Sequence, residues 1–163
     1  MSKRLPLPAL AATLALAGAA SAQPRSAPML NPDGYVAARQ ASLDMSVIVF
    51  SVLREGSKAG REPKTMGYTA LGLARWAKAL PTLFPAGSGA GEATVKTQAK
   101  PLVWSDRAGF EQAAANYAAA TAKLVELANA NDAEGFKAQL DVVSAKCDAC
   151  HAVYKDGPQS ASR

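Results

Sequence analysis

The sequence predicts an all-α fold, an antiparallel four-helix bundle behind a cleaved leader, and three observations carry that expectation. Apolar residues recur at helical spacing in four segments. The first and second segments, and the third and fourth, are joined by short links, while a longer connection separates the pairs. The composition is rich in Ala, the strongest helix former, and aromatic residues make up only 6%, which disfavours a β-sandwich. At 163 residues the chain suits one small domain and excludes a large multidomain enzyme.

The first 22 residues read as an address. Lys3 and Arg4 precede an apolar run from about Leu7 to Ala17, and the small triplet Ala20, Ser21, Ala22 follows. This is the pattern of a secretory signal peptide cut after Ala22. The alternative, an uncleaved anchor, is disfavoured because the run is short of the about 20 residues a span requires. Nothing after the leader reads as a membrane span, so the expected location is the periplasm of a Gram-negative source. Eighteen Lys plus Arg face 13 Asp plus Glu, two of the cations lie in the leader, and no basic cluster forms, so nucleic acid is not an expected partner.

Residues 23–30 are polar and Pro-containing, a flexible lead-in to a bundle domain spanning 31–158, with 159–163 as a tail. Asn31 followed by Pro32 marks the start of helix one, whose inner stripe is Tyr35, Arg39, Leu43, Val47 and Phe50. Gly56 and Gly60 end it. Pro63 opens helix two, with Met66, Ala70, Leu73, Ala77 and Leu80 inward, and Pro81 closes it. The stretch from Pro81 to Trp104 lacks periodicity and is long enough to cross from one end of a bundle to the other. Ser105 and Asp106 cap helix three, with Phe110, Ala114, Tyr117, Thr121, Leu124 and Leu127 inward. Asn131 with Glu134 resembles a capping box opening helix four, which carries Phe136, Leu140, Val143, Cys147, Cys150 and Tyr154 on one stripe before Gly157 and Pro158. So many alanines bury little area each, and a bulky apolar ligand inside the bundle would add to a thin core.

The chemistry concentrates in Cys147-Asp148-Ala149-Cys150-His151, which holds both cysteines and the single histidine of the chain. C-x-x-C-H is the pattern of covalent c-type haem attachment. Thiols at i and i+3 share a helix face and can form thioethers to two vinyl groups, and the next residue offers its imidazole to the iron. Three other readings compete. A thioredoxin-like dithiol normally opens a helix after a strand, whereas this motif ends a helical chain. A zinc site lacks further ligands, and a plain disulfide leaves the adjacent histidine unexplained. An exported chain suits the haem reading.

With those residues in view, the chain resembles the class II c-type cytochromes, and within them cytochrome c′. The resemblance runs from Tyr35 to Lys155: Arg39-Gln40 early in helix one, Leu-Pro-x-x-Phe-Pro-x-Gly-Ser from Leu80 to Ser88, Val103-Trp104-Ser105-Asp106, and C-x-x-C-H-x-x-Tyr-Lys from Cys147 to Lys155. It implies one covalent haem c inside a four-helix bundle, with His151 as axial ligand and iron open on the far side to nitric oxide or carbon monoxide. It implies that Arg39 meets a haem propionate, that Leu43 is the apolar distal residue, that Trp104 lies near the haem edge, and that Lys155 sits beside the proximal imidazole. It implies a non-enzymatic gas-binding or electron-transfer protein with a periplasmic redox partner, forming a homodimer through its first two helices; outward Met45, Ile48, Val49 and Val52 of helix one supply a candidate apolar surface for it, the alternative being that they pack against helix four within one subunit. The alternative within the family is a low-spin electron carrier with a methionine as sixth ligand. Leu43 occupies the aligned place, and Met45, two residues on, points away on a helical wheel. Met66 suits core packing, and Met29 is a poor candidate. A thiol oxidoreductase using the two cysteines is the more distant alternative.

Overall fold

The structure, a computed structural model, describes residues 30–157. The expected leader at 1–22, the tail at 159–163, and all of the lead-in but Leu30 lie outside the described residues. Four long helices form the bundle: α1 (Pro32–Lys58), α2 (Gly67–Ala79), α4 (Arg107–Asn129) and α5 (Ala133–Tyr154), with a single-turn α3 (Leu102–Ser105) before α4. Short 3-10 turns at Pro63–Met66 and Leu80–Leu83 lead into and out of α2. Among the described residues no strand forms, only two isolated bridges, Ala90 to Ala93 and Ala99 to Lys155.

Local chemistry explains the helix starts. Asn31 caps α1 by accepting from Gly34 N at 2.7 Å, and Pro32 follows with a preset φ. Asp106, rather than Ser105, caps α4 through Gly109 N. The start of α5 departs from the capping box expected at Asn131 and Glu134. Asp132 is the cap, accepting from Gly135 N at 2.9 Å. Asn131 instead takes the left-handed region, φ 54°, which Asn tolerates better than most residues, and its side chain accepts from Lys64 N across the bundle end.

Burial follows the expected stripes on α2, α4 and α5. Met66, Ala70, Leu73, Ala77 and Leu80 are all buried, as are Phe110, Tyr117, Leu124, Phe136, Leu140 and Val143; Leu127 is half-buried, and Ala120 and Ala128 complete the face. On α1 the stripe is displaced. Val36, Arg39, Phe50 and Leu53 are buried, whereas Val47 is 54% exposed. Helix α1 packs on α2 and α5 more lightly than α4 packs on those two helices. Met45, Ile48 and Val52 are also exposed, and α1 is long and apolar enough by composition to cross a membrane, with a window of mean hydropathy 1.4. This corrects the expectation that nothing beyond the leader approaches a span. An apolar outer face on a helix that also uses its inner face produces that score without any membrane.

The core divides into two clusters. One, around Leu53, Leu73, Tyr117, Leu124 and Phe136, fills the bundle interior; the other, around Leu80, Phe84, Val103, Phe110 and Tyr154, fills the end where α5 terminates. Trp76 touches both. The connector from 84 to 101 closes this second end and is pinned to α1 at three points. Asp33 accepts from the Thr94 amide, the Thr94 hydroxyl and the Val95 amide; the hydroxyl above all holds its carboxyl below the usual range. Gln40 donates to Lys96 O at 2.8 Å, and Arg39 supplies the third point.

Replacing Asp132 by Ala should cost about 1 kcal/mol of stability, the ordinary value of a lost cap. Glu134→Ala should cost only ~0.3 kcal/mol, since it removes a helix-dipole contact alone. Urea denaturation of the two variants, side by side, distinguishes this cap from the Asn131 box.

Candidate functional site

The last two turns of α5 carry Cys147, Cys150 and His151. Residues three apart share a helix face, so both thiols approach the bundle interior from one side, each half-buried. Cys147 packs on the inner cluster and Cys150 on the end cluster. Cys150, His151, Tyr154 and Lys155 form one wall of a cavity of about 130 Å³. Across it stand Arg39 and Leu43 of α1, Phe84 and Phe110 from the end cluster, and Thr97 and Gln98 of the connector.

Arg39 is the most unusual side chain in the wall. It is 2% exposed, yet no carboxylate pairs with it among the described residues. Its fork donates to Ser88 Oγ at 2.9 Å, Ser88 O at 2.8 Å and Thr97 Oγ1 at 2.7 Å. Its flat face lies over Phe84 at 4.9 Å and Trp104 at 5.7 Å. Burial pulls its pKa down from the ordinary value, but an arginine stays charged in a protein. The cavity therefore has a cationic corner with no anion of the chain's own.

The thiols are poor nucleophiles as they stand. Burial, then the charge of Asp148, pushes Cys147 up to about 11, and burial raises Cys150 as well. A redox-active dithiol needs a depressed thiol pKa, so the oxidoreductase alternative finds no support in this environment. The hydroxyl of Tyr117, itself shifted upward by burial, bonds the Cys147 sulfur. His151 is shifted the other way. Burial first, then Lys155, lowers its pKa against the opposing effect of Asp148, which keeps the imidazole neutral and able to ligate a metal. Its Nδ1 is buried with no hydrogen-bond partner among the described residues. No group of three or more His, Cys, Asp or Glu side chains converges among the described residues, so a zinc site has no further ligands to draw on.

The sequence-predicted residues are thus mostly brought together. Arg39, Leu43, Cys150, His151 and Lys155 line one cavity, and Cys147 sits one turn back on the same helix face. Trp104 does not line it. Its indole donates to Pro85 O at 2.8 Å and its ring backs Arg39, which makes it an anchor of the connector. Sequence reasoning missed Ser88 and Thr97, the acceptors that hold Arg39; Ser88 ended a quoted motif, but nothing local to Thr97 marks it. It also missed the bond from the Tyr154 hydroxyl to Asp106 Oδ2 at 2.8 Å, although it had placed both residues in their helices. A larger groove of about 310 Å³ runs between α1 and α2, but it is lined by Ala41, Ser42, Met45, Ser46, Val49, Gly72, Leu73 and Trp76. It holds no cysteine, histidine or charged group, so the chemistry belongs to the smaller cavity.

The residues present fit a haem group on this structure's own terms. Two thiols and an unpartnered, uncharged imidazole lie on one helix face, an unpaired guanidinium awaits an acid, and the remaining walls are aromatic and aliphatic. At 130 Å³ the cavity falls below the roughly 300–1,000 Å³ of ordinary ligand pockets. A porphyrin would enter with displacement of the half-buried Leu43 and Lys155 and the exposed Gln98 at its rim.

The sequence matches the family model described as Cytochrome C' over residues 35–155. It is 42% identical over 60 residues to the cytochrome c′ of Rubrivivax gelatinosus, covering 37% of this chain and 46% of that protein. It is 35% identical over 65 residues to the cytochrome c′ of Alcaligenes xylosoxydans xylosoxydans, covering 40% of this chain and 51% of that one. These alignments thus span about half the length of either curated relative. Among solved structures, the cytochrome c′ of Rubrivivax gelatinosus superposes with a TM-score of 0.70 at 26% identity, over 79% of this chain and 100% of that one. A nitric oxide complex of a cytochrome c′ variant from Alcaligenes xylosoxidans superposes with a TM-score of 0.71 at 23% identity, over 80% and 100% respectively; at that identity the likeness speaks for the fold.

Arg39→Met keeps bulk but strands the acceptors at Ser88 and Thr97. A loss of about 2–4 kcal/mol is expected from the missing charge-assisted bonds. Urea denaturation of the holoprotein measures it, and a loss under 1 kcal/mol would show that the guanidinium does not hold the connector.

Proposed function

The chain belongs to the cytochrome c′ family, and on that footing we propose that it is a periplasmic haem c protein that binds small gaseous ligands and can carry an electron. The observation that carries this reading is the convergence of Cys147, Cys150 and His151 with a buried, acid-free Arg39 around one apolar cavity. The leader ending at Ala22 would direct export, and the bundle domain at 31–158 would hold the haem, ahead of the tail at 159–163.

Each residue has a role that follows from its surroundings. Cys147 and Cys150 would tether the haem through thioethers, which makes a raised thiol pKa harmless once the sulfurs are alkylated. His151, kept neutral by burial, would be the axial ligand. Arg39 would pair with a propionate, the anion partner that the chain does not supply. Lys155, next to the imidazole, would oppose any build-up of imidazolate character and so weaken the proximal bond. Leu43 would face the opposite side of the ring, excluding water and leaving room for a small neutral molecule. The bound haem supplies an iron that takes up one electron or a diatomic gas. Neither Met45 nor Met66, the methionines among the described residues, lines the cavity, which favours an iron without a methionine sixth ligand. The solved Alcaligenes relative was captured with nitric oxide, in keeping with this use of the pocket.

A second copy of the chain is proposed to cover the outer face of α1. Exposed Met45, Val47, Ile48 and Val52, beside the groove against α2, offer an apolar surface that water does not favour. Ile48→Lys should then shift sedimentation from dimer to monomer while leaving the visible spectrum unchanged; a sedimentation coefficient unaffected by the substitution would remove this interface.

The visible spectrum of the reduced holoprotein, with and without carbon monoxide, tests the gas-binding reading. A high-spin spectrum that changes on adding the gas is expected, and a low-spin spectrum indifferent to it would refute the reading. Leu43→Ala should speed carbon monoxide association about tenfold, a barrier change of ~1.4 kcal/mol.

A further inference from the structure

Tyr154 closes α5 one turn beyond His151, on the same side of the helix. Its ring is buried in the cavity wall and meets Phe110 edge-on, with centroids 5.5 Å apart. Its hydroxyl donates to Asp106 Oδ2 at 2.8 Å. Asp106 is at the same time the cap of α4, its Oδ1 accepting from Gly109 N at 3.2 Å. One carboxylate therefore joins the first turn of α4 to the last turn of α5. Gly109 leaves room for this: a Cβ there would stand 2.5 Å from the Tyr154 hydroxyl. The backbone on either side is tied as well, by Lys100 N to Tyr154 O at 3.0 Å and Asp156 N to Gln98 O at 2.7 Å.

This fastening matters because of what His151 lacks. A metal-bound histidine ordinarily donates its second ring N–H to an acceptor that fixes the plane of the imidazole. Here Nδ1 is buried and has no such acceptor among the described residues, and the following residue is Ala152, which offers no side-chain oxygen. The attitude of the ring is left to the helix that bears it, and helix ends fray unless they are tied.

Building on the haem reading above, we infer that Tyr154 and Asp106 are a positioning pair for the proximal ligand: their hydrogen bond fixes the last turn of α5, and thereby the angle and depth at which the His151 imidazole meets the iron. The acceptor is a carboxylate oxygen, and such bonds are stronger than neutral ones, so it holds a defined geometry. Tyr154 touches neither the iron nor a gas ligand in this role; it acts through His151.

The test uses the holoprotein carrying Tyr154→Phe, Asp106→Ser, or both. Phe keeps the ring and its packing on Phe110. Ser keeps an oxygen for Gly109 N, so α4 stays capped, but has none left for the phenol. The readout is the iron–histidine stretching band of the ferrous protein in resonance Raman, which a purely structural role would not move. Each single variant should shift and broaden the band, and the double variant should look like either single one, as expected of two groups that act through one bond. A band unmoved in Tyr154→Phe, with only thermal stability reduced, would overturn the pairing, and so would effects that simply add. If the unsubstituted protein shows no such band, the reading of an iron held by His151 alone falls and the pair with it; if it shows the band and the variants leave it alone, only the pair falls.

Discussion

A cation buried without an acid organises this molecule. Arg39 sits 2% exposed in an apolar wall, where an ionised group is tolerated only if every donor is satisfied. Three bonds to Ser88 and Thr97, from three of its five N–H donors, and two aromatic faces go far to meet that requirement. To meet it, the connector after α2 must fold back over α1, which brings Phe84, Trp104 and Thr97 to the end of the bundle where α5 terminates. The cavity exists because the connector is held there. The neutral oxygens that accept from Arg39 leave the positive charge itself unmatched, which is why an acidic, largely apolar guest suits the space.

The end of α5 answers the same need from the opposite side. Its thiols lie in surroundings that disfavour a thiolate, and its imidazole lies in surroundings that disfavour a proton. A neutral imidazole is free to ligate a metal. Two aromatic phenols mark the boundaries of this region, Tyr117 on the sulfur of Cys147 and Tyr154 on the cap of α4. The small core clusters on either side, with alanines between the helices, give the bundle close approach but little buried area per contact. A guest that fills the end cavity therefore contributes to holding the helices together as well as to function.

Much of this was legible in the sequence, and the exceptions have physical reasons. The stripes on α2, α4 and α5 could be read because those helices bury one face each against several neighbours. The stripe on α1 could not be read fully, because α1 is apolar on both sides and periodicity alone does not say which side faces in; Val47 went outward for that reason. The C-x-x-C-H pattern is local in sequence, so it was legible at once, and helical spacing placed Arg39 on the inner stripe of α1, where it is buried. The capping of α5 was misplaced by one residue, since Asn131 and Asp132 are both good caps and the choice depends on the left-handed turn and on the contact with Lys64 across the bundle end. The partners of Arg39 and of Tyr154 are 48 to 58 residues away in the chain, beyond the reach of any spacing rule.

The central claim is a porphyrin bonded to Cys147 and Cys150, and intact mass under denaturing, reducing conditions addresses it most directly. Protein produced with the c-type attachment machinery should retain the mass of one haem, and a Cys147→Ser, Cys150→Ser variant should lose it. A native chain that runs at its bare polypeptide mass under the same conditions would contradict the account.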